Sequence, residues 1–150
     1  MNQIGQDMTI GRVVILSAMV ATSILIGGIG GQVFAQMKGP TEMKGVSVTE
    51  LGIIDEESLK AQLGIEGFIL RMRAVTVQPG GQIREHSHAK RPGLVKMFSG
   101  EWVVGEPDGE TLYMAGEDNS IPENKDTVHW VYNRGKVPAI GIVCGIQPSS

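Results

Sequence analysis

From Gly67 to Ile146 the chain is a series of short runs in which side chains alternate in character, each closed by Gly, Pro, Asn or Asp, and this rhythm constrains the fold more than any other feature. In the first run Phe68, Leu70, Met72, Ala74 and Thr76 fall on one face and Ile69, Arg71, Arg73, Val75 and Val77 on the other, until Pro79-Gly80-Gly81 ends it. Further runs cover 83–88, 94–98 before Ser99-Gly100, 102–104 before Pro107-Asp108-Gly109, 111–115 before Gly116, 129–132 before Asn133-Arg134-Gly135, and 139–146. One segment reads as helical, Asp55 to Leu63, with acidic residues at its start and Gly64 to stop it. Strands at this spacing with one short helix predict an all-β sandwich or barrel.

Charge and composition narrow the partners. Thirteen Lys and Arg against 16 Asp and Glu leave a formal net charge of -3, and the cations are scattered, so nucleic acid is not an expected partner. A 41% hydrophobic content is enough for an ordered core. Residues 13–29 form an uncharged apolar run after Arg12, followed by Val33 and Ala35, small residues suited to a signal-peptidase site. The expectation is a secretory signal or membrane anchor over residues 1–35, a linker over 36–48 and one barrel over 49–150. The body would then be periplasmic or secreted, in transient membrane contact through its leader. The single cysteine, Cys144, can form no internal disulfide, and its apolar surroundings predict a buried, inert thiol.

The chemistry concentrates in the three histidines. On an extended strand, residues two apart face the same way, so His86-Ser87-His88 aims both imidazoles to one side. That pair is half of a metal site, and His129 is the one remaining imidazole.

The flanks of these histidines resemble the two cupin motifs. Gly80, five residues, His86-Ser87-His88, four residues, Gly93, six residues and Gly100 reproduce the first motif, with Gly93 where the family has Glu. Gly116, five residues, Pro122, and later His129 and Asn133 resemble the second, with Asn124 in place of a Gly and two extra residues in a polar loop, Glu123 to Thr127, before His129. The resemblance spans Gly67 to Ile146 and extends to small single-domain bacterial cupins whose first motif reads His-Ser-His, then Arg-Pro, then a strand ending Ser-Gly-Glu, as His86 to His88, Arg91-Pro92 and Ser99 to Glu101 do here. It implies a jelly-roll (double-stranded β-helix) barrel holding one divalent ion, Fe, Mn, Zn, Ni or Cu, on His86, His88 and His129.

Glu85 is turned away from the imidazoles by strand alternation and Glu101 lies past a turn, so neither replaces the missing carboxylate. A three-histidine site results, which would favour anionic, chelating ligands. Lys90 and Arg91 could dock a substrate carboxylate at the barrel mouth. Arg71 and Arg73 are expected outside the barrel, because unpaired guanidiniums inside are costly. Trp130 and Tyr132 should face away from the metal and pack on another sheet or subunit, and Asn133 should cap a turn. No general base stands out, with Lys96 and Tyr113 as distant candidates. Function reads as a metal-dependent enzyme of dioxygenase, lyase or isomerase type on a small anionic or chelating molecule, or as a non-catalytic binding cupin. Exposed edges and aromatics make a homodimer an expectation.

Overall fold

The alternation that opens near Gly67 does not stop at Pro79-Gly80-Gly81. A computed structural model describes residues 36–149, and in it the strand β2 runs unbroken from Phe68 to Ser87. The expected break is a corner. Gly80 adopts φ 68°, open to glycine without strain, and a Cβ on Gly81 would stand 2.7 Å from the carbonyl oxygens of Gln78 and Lys44.

On either side of that corner β2 has different neighbours. Its first limb pairs antiparallel with β8 (Ala139–Pro148), from Phe68 opposite Pro148 to Val77 opposite Ala139. Along its other edge lies β1 (Lys44–Ile54), a mostly exposed strand absent from the runs expected above. The second limb pairs with β7 (Val128–Tyr132). Completing the sheet are β3 (Gly93–Ser99), β4 (Glu101–Glu106), β5 (Gly109–Met114) and β6 (Ile121–Glu123), in the order β5-β4-β7-β2-β8-β3-β6. The bent sheet curls into a nearly closed barrel with one helix, the all-β architecture expected.

The helix α1 (Glu56–Leu63) forms for local reasons. Asp55 caps it by accepting from the Ser58 amide at 2.8 Å, Glu56 and Glu57 complement its N-terminal partial charge, and Gly64 ends it in a left-handed turn. Leu59 is its buried side chain.

Inside the barrel, Val75, Val77, Val95, Met97, Trp102, Val104, Ile121, Val131, Ala139 and Val143 form the core. Trp130 packs on the opposite face of its strand, 1% exposed, over Gly105 directly across in β4 and against Gly39 of the N-terminal segment. The expectation that Trp130 faces away from the histidines therefore holds, and its covering is this chain's own. Asn133 is buried, donating from Nδ2 to the carbonyls of Val77 and Val137 and accepting from the Gly135 amide, so it does lock its turn.

Two expectations fail. Cys144 is exposed, because only one face of β8 lines the core and alternation puts Cys144 on the other. Glu123, read as part of a polar loop, ends β6 and is buried. The loop proper is the turn 124–127, closed by the Thr127 amide on the Asn124 carbonyl. The leader, residues 1–35, lies outside the described residues, and among those described no helix is long and apolar enough to cross a membrane.

Candidate metal centre

His86 and His129 stand directly opposite each other on β2 and β7. A register shift between Ile83 and His86 places one extra β2 residue in this stretch, which lets both Ile83 and His86 face inward despite being three apart. His88 follows just beyond the strand, its amide bound to the Thr127 carbonyl at 3.0 Å. One nitrogen from each ring lies within 4.8 Å of the others. His129 Nε2 is 3.1 Å from His88 Nε2 and 3.1 Å from His86 Nε2.

The outer ring nitrogens explain why these rings point inward. His86 Nδ1 lies 2.7 Å from the Arg84 carbonyl and His88 Nδ1 lies 3.1 Å from the Arg91 carbonyl. A carbonyl only accepts, so both Nδ1 atoms carry the proton and both Nε2 atoms turn bare lone pairs toward the shared centre. Burial lowers the pKa of all three rings, His88 to about 4 and His129 to about 3, with Arg91 adding to each shift and neighbouring imidazoles to those of His88 and His129. Three neutral nitrogen donors crowded on one point suit a divalent cation. The two 3.1 Å spacings from His129 Nε2 match the roughly 3.0–3.4 Å between adjacent ligands whose bonds to one ion are about 2.1 Å long, and the third pair lies within 4.8 Å. The donor set therefore fits the ion that the motif implies.

Around the histidines is a cavity of about 270 Å³, walled by Val46, Val48, Val75, Val131 and Val143 and by Trp102, whose buried Nε1 has no hydrogen-bond partner. Arg73, Arg84 and Arg91 also line it. The ion pairs among the described residues use other cations, Arg71 with Glu50 and Arg134 with Glu110 for example, so none of the three cavity guanidiniums is neutralised by one. Arg73 corrects the expectation that Arg71 and Arg73 both lie outside. It is half-buried on the inner face of β2, where desolvation and then Arg71 lower its pKa. Arg91 reaches the cavity as expected, whereas Lys90 sits exposed in the turn and does not line it. Glu85 points away and its carboxylate accepts from the Gly39 amide at 2.7 Å. Lys96 is exposed, bound to the carbonyls of Glu117 and Asn119, and neither it nor Tyr113 lines the cavity.

One site residue escaped the sequence reading. Glu123 is 7% exposed, with Oε2 3.3 Å from His88 Nδ1 and Oε1 3.8 Å from His129 Nε2. Desolvation raises its pKa to about 7, against the pull of Arg73 and Arg91. The signal for it was the alternation of Ile121-Pro122-Glu123, which puts Glu123 on the same face as the core residue Ile121.

No protein-family model matches this sequence, and no curated protein does. Solved structures do match its shape. A predicted oxalate decarboxylase of Thermotoga maritima superimposes with TM-score 0.54 at 16% identity, over 73% of this chain and 90% of that one. The Cupin_2 domain of an XRE-family transcriptional regulator from Enterobacter cloacae gives TM-score 0.51 at 18% identity, over 71% of this chain and 100% of that one. The fold is a cupin barrel. A conserved protein of unknown function from Streptococcus pyogenes shares it at TM-score 0.50 and 14% identity, over 74% of this chain and 82% of that one. At such identities the likeness establishes the cupin barrel alone, and chemistry has to be argued from the site.

Proposed function

We propose that this cupin barrel is a metal-dependent enzyme acting on a small anionic, chelating molecule outside the cytoplasm. The observation that carries this reading is the meeting of three neutral imidazoles with three unpaired guanidiniums in one cavity of about 270 Å³. A divalent ion held by His86, His88 and His129 supplies Lewis acidity when bound. Arg73, Arg84 and Arg91 would bind and orient a substrate carboxylate, and the buried Val75, Val131 and Val143 lower the polarity around it, which strengthens those ion pairs. The volume suits an acid of a few carbons, and a dioxygenase, lyase or isomerase step is the reaction class proposed.

The test is metal analysis of the purified protein followed by a turnover screen over dicarboxylates, diketones, catechols and uronic acids. Stoichiometric metal with conversion of one class supports the proposal, and a metal-free protein with no turnover after loading rejects it. A second reading, capture without turnover, is favoured by one observation: neither Lys96 nor Tyr113 reaches the cavity. It predicts saturable binding with no product. Export is supported by the residue pattern of the leader, and the N-terminal residue of protein from the periplasm or medium would test it. A homodimer belongs to the same proposal. Met72, Cys144 and Leu94 form an exposed row in register across the outer face of β2, β8 and β3 that a second copy could cover. Sedimentation should then give twice the chain mass.

A further inference from the structure

Among the described residues the buried carboxylate of Glu123 forms no ion pair with Lys or Arg, and the ionisable side chains beside it are imidazoles, His88 with Nδ1 3.3 Å from Oε2 and His129 with Nε2 3.8 Å from Oε1. A carboxylate taken out of water with so few partners is costly unless a cation meets it or it takes up a proton. The guanidiniums of Arg73 and Arg91 share the cavity but form no ion pair with it. A cation can be met at the point on which the three Nε2 atoms converge, and Oε1 is 3.8 Å from one of those atoms, His129 Nε2.

The backbone keeps room for this carboxylate. Glu123 on β6 is the direct register partner of Gly93 on β3, and a Cβ on Gly93 would stand 2.7 Å from Glu123 Oε2. That Cβ would also stand 3.2 Å from the Cys144 carbonyl oxygen, so a side chain at 93 has no room while Glu123 is in place. The space a residue at 93 would fill is occupied instead by the carboxylate arriving from the neighbouring strand.

We propose that Glu123 is the fourth protein ligand of the three-histidine centre, a carboxylate supplied from β6 because position 93 carries no side chain. This inference rests on the metal-centre reading above. As a ligand, Glu123 lowers the net charge of the occupied site and leaves fewer coordination positions for substrate, which shifts more of the substrate's binding onto the three arginines. The role differs from that of an outer carboxylate that merely steadies the His88 ring, because the carboxylate would then never touch the ion.

The experiment uses Co(II) as the probe metal, with affinity read by chelator competition and coordination read by the visible d–d absorption. Wild type, Glu123→Gln, Glu123→Ala and the double variant Glu123→Ala with Gly93→Glu are compared. Wild type should bind one Co(II). Glu123→Gln, near-isosteric and uncharged, should fold and lose affinity by at least about 10- to 100-fold, with a changed absorption spectrum. Returning a carboxylate at position 93 in the Glu123→Ala background should recover part of the affinity and the spectrum. Unchanged affinity and spectrum in Glu123→Gln and Glu123→Ala overturn the inference while leaving the three-histidine centre standing. Weakened affinity with an unchanged spectrum also overturns it and assigns the outer role. A wild type that takes up no Co(II) overturns the metal centre itself.

Discussion

A histidine or carboxylate inside this barrel is governed by its desolvation, and the two kinds of group push stability in opposite directions with pH. The imidazoles have pKa values depressed below the ordinary 6.5, to about 4 for His88 and about 3 for His129. Between those values and 6.5 the unfolded chain binds the extra protons, so the metal-free protein should lose stability as pH falls through that window. Glu123 has a raised pKa of about 7 against the ordinary 4.5, so the folded state holds the extra proton and its contribution is lost as pH rises through 7. Glu123→Gln should therefore melt higher than wild type at pH 8 when metal-free, and the difference should shrink or vanish near pH 4.5. Thermal melts of chelator-treated protein across pH check both signs. Arg73 yields a second expectation. Truncating it to Ala removes a charged donor from the cavity, so affinity for a small dicarboxylate should fall by roughly 10- to 100-fold, while Co(II) affinity, relieved of a neighbouring positive charge, should not fall. Calorimetric titration of metal-loaded protein would show it.

Among the elements, the strand β2 does the most to place the site. Its first limb supplies Arg73 and Val75 to the cavity wall and its second supplies His86, and the Pro79-Gly80-Gly81 corner lets one strand serve both parts of the barrel. The alternation of its first limb was plain in the sequence. Its continuity through the corner was not, because Pro and Gly usually mark a strand's end and only the change of partners shows a bend instead. The β4–β7 pair shows how tightly elements are fitted. Gly105 lies opposite Trp130, and a Cβ there would run into the indole ring. Both residues are buried, so Gly105→Ala should destabilise the barrel by about 1–3 kcal/mol, measured by urea denaturation. Metal-loaded and chelator-treated samples should show a similar loss, since Trp130 packs on the opposite face of β7 from His129.

For the whole molecule, metal binding and folding are linked through residues far apart in the chain. His86 and His129 are 43 positions apart and meet across one ladder, so an ion that binds only the native arrangement stabilises the barrel by mass action. Wild type loaded with metal should melt higher than chelator-treated protein, by several degrees if free metal exceeds its dissociation constant about 100-fold. In the variant with His86 and His88 both changed to Ala, the barrel should still fold and this metal-dependent shift should disappear.

The sequence by itself determined the β class, the capped helix and the shared face of the histidine pair, and the family resemblance implied an inward direction for that pair and His129 as the third ring. All of these rest on local periodicity, capping chemistry or motif spacing, which neighbouring residues set. Only the tertiary structure decided that β1 flanks β2, that Arg73 faces in, that Cys144 faces out and that Glu123 fills the space beside Gly93. Strand alternation gives two faces without saying which one closes around the core, and a bulge or corner resets that phase. Which side chain ends beside the imidazoles is therefore fixed by pairing between distant strands.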